Sequence, residues 1–164
     1  MPKLKHYDNT GTARFVTFSC YKKRPLLIDE RAKEILISEI QKAREKYCFK
    51  IIGYVIMPNH VHLVLIPPYG MKLGTVIGEI KSRMARVYFA EKSEMVLTNR
   101  IFWQKRCYDH NCRSPKAVVE KIEYCHKNPI RAALAKDQGE YRWSSYDWYR
   151  GERNVPLEID RFEC

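Results

Sequence analysis

Strand-like and helix-like hydrophobic patterns follow one another along these 164 residues in the order strand, helix, strand, strand, helix, with a late strand and helix behind them. That order predicts an α+β fold, an antiparallel sheet of ferredoxin-like type with helices packed on it. Two more observations agree. The apolar runs 49–57 and 60–66 meet at Pro58-Asn59, the pattern of a hairpin with a tight turn, and no internal repeat suggests a solenoid. The length fits one domain, residues 1–164, with a core over about 10–150 and a C-terminal tail 151–164. Hydrophobic residues at 45% and charged ones at 30% exclude a disordered chain.

Taken in order, Arg14 to Cys20 (RFVTFSC) is rich in β-branched and aromatic residues and reads as the first strand, followed by the basic loop Tyr21-Lys22-Lys23-Arg24-Pro25. From Asp29 to about Lys46 the apolar positions Leu36, Ile40, Ala43 and Tyr47 recur at helical spacing. After the hairpin, Leu73 to about Glu91 is a second helix with Val76, Ile77, Ile80, Met84 and Val87 as its buried stripe. Phe102-Trp103-Gln104 reads as a short strand. Ser114-Pro115 opens a third helix with a favoured cap and a proline at the first helical position. Pro129 is expected to close that helix, because proline cannot continue the hydrogen-bond ladder. The aromatic stretch Tyr141 to Tyr149 is expected to pack back on the body and the last residues to be loose.

Thirty Lys and Arg against 19 Asp and Glu give a net charge of +11, which favours a polyanionic partner, nucleic acid above all. No apolar run approaches the roughly 18 residues of a spanning helix, and no signal peptide is visible, so a cytoplasmic location away from membranes is expected. Cys107, His110, Cys112, Cys125 and His126 fit no compact zinc module. Reduced, mostly buried thiols are the better reading of the six cysteines.

Two signals carry chemistry. Side chains alternate along a strand, so His60 and His62 in PNHVHLVL share one face roughly 7 Å apart, while Val61, Leu63 and Leu65 point into the core. Two neutral imidazoles can converge on a divalent ion and leave positions open for substrate. On the third helix Val118, Val119, Ile122 and Cys125 cluster on one side at about 100° per residue. Tyr124 falls nearly opposite them with Asn128 one turn further on, beside Glu120 and Lys121. The Asn128 amide oxygen is a candidate third ligand, and His126 reads as a packed or hydrogen-bonded histidine.

These residues resemble a known family. His60-Val61-His62 is similar to the His-hydrophobe-His motif of HUH endonucleases. Tyr124-Cys-His-Lys-Asn128-Pro129-Ile-Arg131-Ala resembles the Tyr-x-x-x-Asn-Pro-Val-Arg-Ala segment of the REP-associated tyrosine transposases, of the single-tyrosine superfamily. Trp103-Gln104, Tyr108-Asp109-His110 and Tyr141-Arg-Trp-Ser-Ser also resemble that family's segments, in the right order, so the resemblance covers about residues 10–150. Lys105-Arg106-Cys107 and Ile130 depart from the family's pattern without touching the site.

The resemblance implies a metal-dependent single-strand DNA endonuclease and strand transferase acting at hairpin-associated sites. Its catalytic tyrosine, Tyr124, would lie on the late helix, with Mg²⁺ or Mn²⁺ held by His60, His62 and Asn128, and the intermediate would be a 5′-phosphotyrosine. A phenol is a weak nucleophile at neutral pH, so activation has to come from the phosphate side. The expected partner is single-stranded DNA bearing a hairpin, and the protein a monomer or homodimer. Candidate DNA contacts are Lys22, Lys23, Arg24, Lys81, Arg83, Arg86, Trp103, Arg106, His110 and Arg131. The competing readings are a non-catalytic single-stranded nucleic-acid-binding module, and a Rep-like nickase or ribonuclease using the same centre.

Overall fold

The computed structural model describes residues 12–92 and 100–162, which leaves Cys164 outside the described residues. Its strands are β1 (Ala13–Cys20), β2 (Lys50–Ile56), β3 (His60–Ile66) and β4 (Trp103–Cys112). The helices are α1 (Glu30–Tyr47), α2 (Leu73–Glu91), α3 (Pro115–Arg131) and the single turn α4 (Tyr146–Tyr149). The strands form one sheet in the order β2-β3-β1-β4, antiparallel at every junction. This is the ferredoxin-like arrangement expected from the element order.

Strand alternation divides the core in two. Val16, Phe18, Val61, Leu63 and Leu65 point to the face covered by α1 and α2. Phe15, Ile52, Val55 and Val64 point to the other, where Val118, Ile122 and Cys125 of α3 meet them. Each fully buried aliphatic side chain contributes about 1.5–3 kcal/mol of transfer free energy, so both layers stabilise the sheet. Gly53 in β2 allows the α3 layer to close, since a Cβ there would stand 3.1 Å from Cγ1 of Ile122.

Local chemistry sets the element ends. Asp29 caps α1 by accepting from the Arg31 N–H at 3.0 Å, and Cys48 ends it in the left-handed conformation at φ 60°. The Met57 N–H donates to the His60 carbonyl at 2.8 Å across the Pro58-Asn59 turn. Ser114 caps α3 by accepting from the Ala117 N–H at 3.1 Å.

Four expectations need correction. Val87, at the end of the α2 stripe, is 37% exposed rather than buried. β4 is ten residues rather than a fragment at 102–104. Its polar run conceals the strand because it lies at the sheet edge, and its buried Asp109 is held by Arg14 of β1, with Arg14 Nε donating to Oδ1 at 2.9 Å. α3 continues through Pro129 to Arg131. A proline so close to the C-terminus removes one hydrogen bond from the ladder, and Pro129 is itself buried. Finally, the tail over its described residues 151–162 is docked rather than loose. The Asp160 N–H donates to the Ile51 carbonyl and the Asp160 carboxylate accepts from the Ile51 N–H, each at 2.8 Å, while Leu157 and Ile159 enter the core. The aromatic stretch packs back as expected. Its Trp143 carbonyl accepts from the Ile56 N–H at 2.8 Å and the Ser145 N–H donates to the Tyr54 carbonyl at 3.0 Å, so tail and stretch together cover the free edge of β2.

Candidate active site

His60 and His62 emerge side by side from the α3 face of β3, and their Nε2 atoms lie 3.1 Å apart. Each ring is held from behind. His60 Nδ1 lies 2.6 Å from Asn59 Oδ1, which can only accept, so Nδ1 carries the proton and Nε2 keeps its lone pair. His62 Nδ1 is 2.7 Å from the hydroxyl of Thr17, its register partner on β1. Fixing Nδ1 in this way is how proteins orient imidazoles that ligate metals. Burial, and then the charges of His60 and Lys121, push the His62 pKa down to about 3. Burial, followed by Lys23, lowers that of His60. Both imidazoles are therefore neutral at neutral pH, the state in which they donate lone pairs.

Tyr124 hangs over this pair from α3. Its ring centroid is 5.3 Å from that of His62 and 5.8 Å from that of Phe15, edge to face in both cases. It is 36% exposed, which leaves one side open to a substrate. Two cations flank the phenol. Lys121 Nζ lies 5.7 Å from the ring centroid and the Arg131 guanidinium carbon 5.3 Å. Lys121, Tyr124, Asn128 and Arg131 follow one another at i, i+3, i+7 and i+10, a single stripe of the helix. Half-buried Asn128 stands one turn beyond Tyr124 on that stripe.

The expected DNA contacts divide by layer. Arg131 is at the site. Exposed Lys22, Lys23 and Arg24 lie beside it, since their loop leans on the hairpin turn, the Cys20 and Leu27 N–H groups donating to the Asn59 and Pro58 carbonyls at 2.9 Å each. Arg106 is exposed on β4, and His110 lies on the α3 face opposite Phe15.

Four others fall elsewhere. Trp103 is 7% exposed and packed against Phe18 and Phe102, so its ring belongs to the core. Lys81 is 8% exposed and donates to the Gln104 carbonyl at 2.5 Å. Arg83 and Arg86 ride on α2, behind the sheet, with Arg83 donating to Glu79 at 3.2 Å. Sequence periodicity finds the wet side of a helix but not which layer of the molecule that side belongs to.

The structure brings Lys121, Thr17 and Asn59 to the same place, none of which the sequence motifs single out. The i, i+3 spacing to Tyr124 marks Lys121. Thr17 has no local signal, because its role depends on the pairing of β1 with β3. His126 is packed as expected, 7% exposed with Nε2 2.8 Å from the Ser145 hydroxyl. Cys20, Cys112 and Cys125 are buried thiols, raised by burial, the first to about 12. Among the described residues no three or more His, Cys, Asp or Glu side chains converge as a metal cluster. The donors near Tyr124 are thus two imidazoles with the Asn128 amide nearby, which fits an ion that keeps positions for substrate oxygens. Nor, among the described residues, is any helix long and apolar enough to cross a membrane.

The sheet topology with helices on both faces, and the run of the chain from β1 into α3, match a family of transposases. The chain belongs to the IS200-like transposase family, whose model matches residues 11–127. A REP-associated tyrosine transposase of Escherichia coli K12 is 23% identical over 146 residues, covering 89% of this chain and 83% of that protein. A candidate REP-associated tyrosine transposase of Haemophilus influenzae Rd is 23% identical over 147 residues, covering 82% and 81%. A solved REP-associated tyrosine transposase, bound to a REP hairpin, superposes with a TM-score of 0.77 over 100% of this chain and 95% of its own, at 23% identity. The resemblance read from the motifs is borne out.

Proposed function

We propose that this transposase cleaves and rejoins single-stranded DNA at the foot of a hairpin, with Tyr124 as nucleophile. The observation that carries the reading is the meeting of three side chains from two elements. The Tyr124 ring lies 5.3 Å from His62, whose Nε2 is 3.1 Å from that of His60, on an open and basic face. The reading of the partner is supported by the REP hairpin on the solved neighbour and by the net charge of +11.

In this reading the Tyr124 oxygen attacks the scissile phosphorus. A tyrosine–phosphate ester forms on the 5′ side, the bond from phosphorus to the 3′-oxygen breaks, and the phenolic proton is made up by a proton on the departing 3′-hydroxyl. The ester conserves the phosphodiester bond energy, so a different 3′-hydroxyl can reverse the step and join new strands. Lys121 and Arg131 hold phosphate oxygens against the phenol and offset the developing charge. His60 and His62, with Asn128, would hold a Mg²⁺ or Mn²⁺ ion, and such an ion supplies Lewis-acid polarisation of the phosphate. Asn59 and Thr17 keep both imidazoles turned toward that position.

The test is incubation of hairpin-bearing single-stranded DNA with the protein and Mg²⁺ or Mn²⁺. A covalent adduct that survives denaturation and is absent in Tyr124→Phe is expected. Binding without an adduct in either metal would leave a nucleic-acid-binding module instead.

A further inference from the structure

β4 carries a second feature of the open face. Thr17 of β1 is register partner to both His62 and Tyr108, so His62, Thr17 and Tyr108 form one row across three strands. Residues directly opposite one another share a face, which places Tyr108 on the side of the histidine pair, two strand spacings or about 10 Å away. His110 follows on the same face, opposite Phe15. α3 packs mainly over β2 and touches β3 and β4 only lightly, and Tyr108 is 49% exposed.

The two rings are parallel within 5°, with centroids 6.4 Å apart. The two residues stand one strand repeat apart and offer parallel faces against which a flat unpaired base can stack. Between these residues Asp109 points to the opposite face and is gripped there by Arg14. That buried pair holds β4 in place, so both rings are presented by a rigid strand. Burial, and then the Lys121 charge, lower the His110 pKa, which makes its imidazole an uncharged plane at neutral pH. Exposed Arg106 precedes the pair on the same face of β4 and exposed Arg113 follows it, charges that suit a phosphate backbone.

We infer that Tyr108 and His110 form a clamp for one unpaired nucleobase of the single strand, next to the phosphate presented to Tyr124. The inference rests on the strand-cleavage reading above and adds a positioning role for Tyr108. A base gripped in the row of His62, two strands away, fixes the register of the strand, because the backbone between it and the reacting phosphate spans only a nucleotide or two. A tyrosine and a neutral imidazole offer flat faces to any base, so the clamp selects unpaired bases over paired ones rather than a particular sequence.

The experiment uses hairpin-bearing single strands with one 2-aminopurine moved position by position through the unpaired flanks, bound to the cleavage-deficient Tyr124→Phe protein. One position is expected to lose most of its fluorescence on binding. That quench should disappear in the Tyr108→Leu, Tyr124→Phe double variant and persist when Phe replaces Tyr108. In the otherwise native protein Tyr108→Leu should raise KM for adduct formation about tenfold, the worth of one stacked base, with Tyr108→Phe restoring it. Quenching that ignores residue 108 at every position, together with an unchanged KM, overturns the clamp and leaves cleavage standing. Quenching that depends on residue 108 in a native protein that forms no adduct overturns the cleavage reading and leaves the clamp.

Discussion

The two faces of the sheet are made by the same strands, one residue out of step, yet they are opposites in chemistry. Toward α1 and α2, β1 and β3 present Val16, Phe18, Val61, Leu63 and Leu65, closed off from water. Toward α3 the same strands present Phe15, Thr17, His60 and His62, and the single helix there leaves part of the sheet open. The period of two allows both. Each apolar position on one face frees its neighbour to serve the other, so the site costs the main core nothing.

The sharpest way to break this contrast is His60→Ala. Loss of adduct formation by about a hundredfold to a thousandfold is expected, with hairpin affinity changed only a fewfold, because the proposed phosphate contacts are those of Lys121, Arg131 and the 22–24 loop. Adduct assays beside equilibrium binding would check it, and equal loss of both would show that the histidines serve binding. Leu63→Ala makes the opposite cut. Leu63 is fully buried on the dry face, so truncation should cost about 2–5 kcal/mol in denaturant unfolding while activity per folded molecule stays near native. A selective loss of activity would mean the two faces are coupled.

His126 and His62 sharpen the comparison within the α3 side. Both are buried and both are depressed, His62 to about 3 and His126 to about 4, but His126 turns away from Tyr124 to Ser145. Its effect belongs to stability. The unfolded chain takes up a proton at the ordinary 6.5, whereas the folded chain resists it until about 4. The contribution is therefore complete above about pH 6.5 and is lost as pH falls toward about 4. For this one group it amounts to on the order of 3 kcal/mol. His126→Gln should flatten unfolding free energy measured from pH 7 to 4 by that amount, leaving the slope contributed by the site histidines. An identical pH slope in the variant would show that burial of His126 is not what resists protonation.

Much of this was readable from the chain because it depends on local pattern. The Pro58-Asn59 hairpin, the helical stripes of α1 and α2, the Ser114-Pro115 start of α3 and the alternation of His60 and His62 all lie within a few residues of their own cause. What escaped depends on distant partners. Asp109 reads as a solvated charge until Arg14, 95 residues away, is placed behind it, and without that pairing β4 has no strand-like pattern. The docked tail needed the free edge of β2. Trp103 and Lys81 read from the chain as surface groups, because composition does not reveal that β4 begins in the core and that Lys81 is spent on the Gln104 carbonyl.

The finest cut concerns Thr17, whose hydroxyl lies 2.7 Å from His62 Nδ1. Thr17→Val keeps the shape and the strand but removes that partner, and nothing polar behind the ring then fixes the tautomer and orientation of His62. If the polar face works by orienting imidazoles, the Mn²⁺ concentration needed for half-maximal adduct formation should rise about 10–100-fold, with Thr17→Ser restoring it and denaturant stability nearly unchanged. A metal dependence that did not move would mean that burial and packing on Phe15, whose ring stacks on His62 at 5.0 Å, already fix the ring. The polar side of the sheet would then be held by the same means as its dry one.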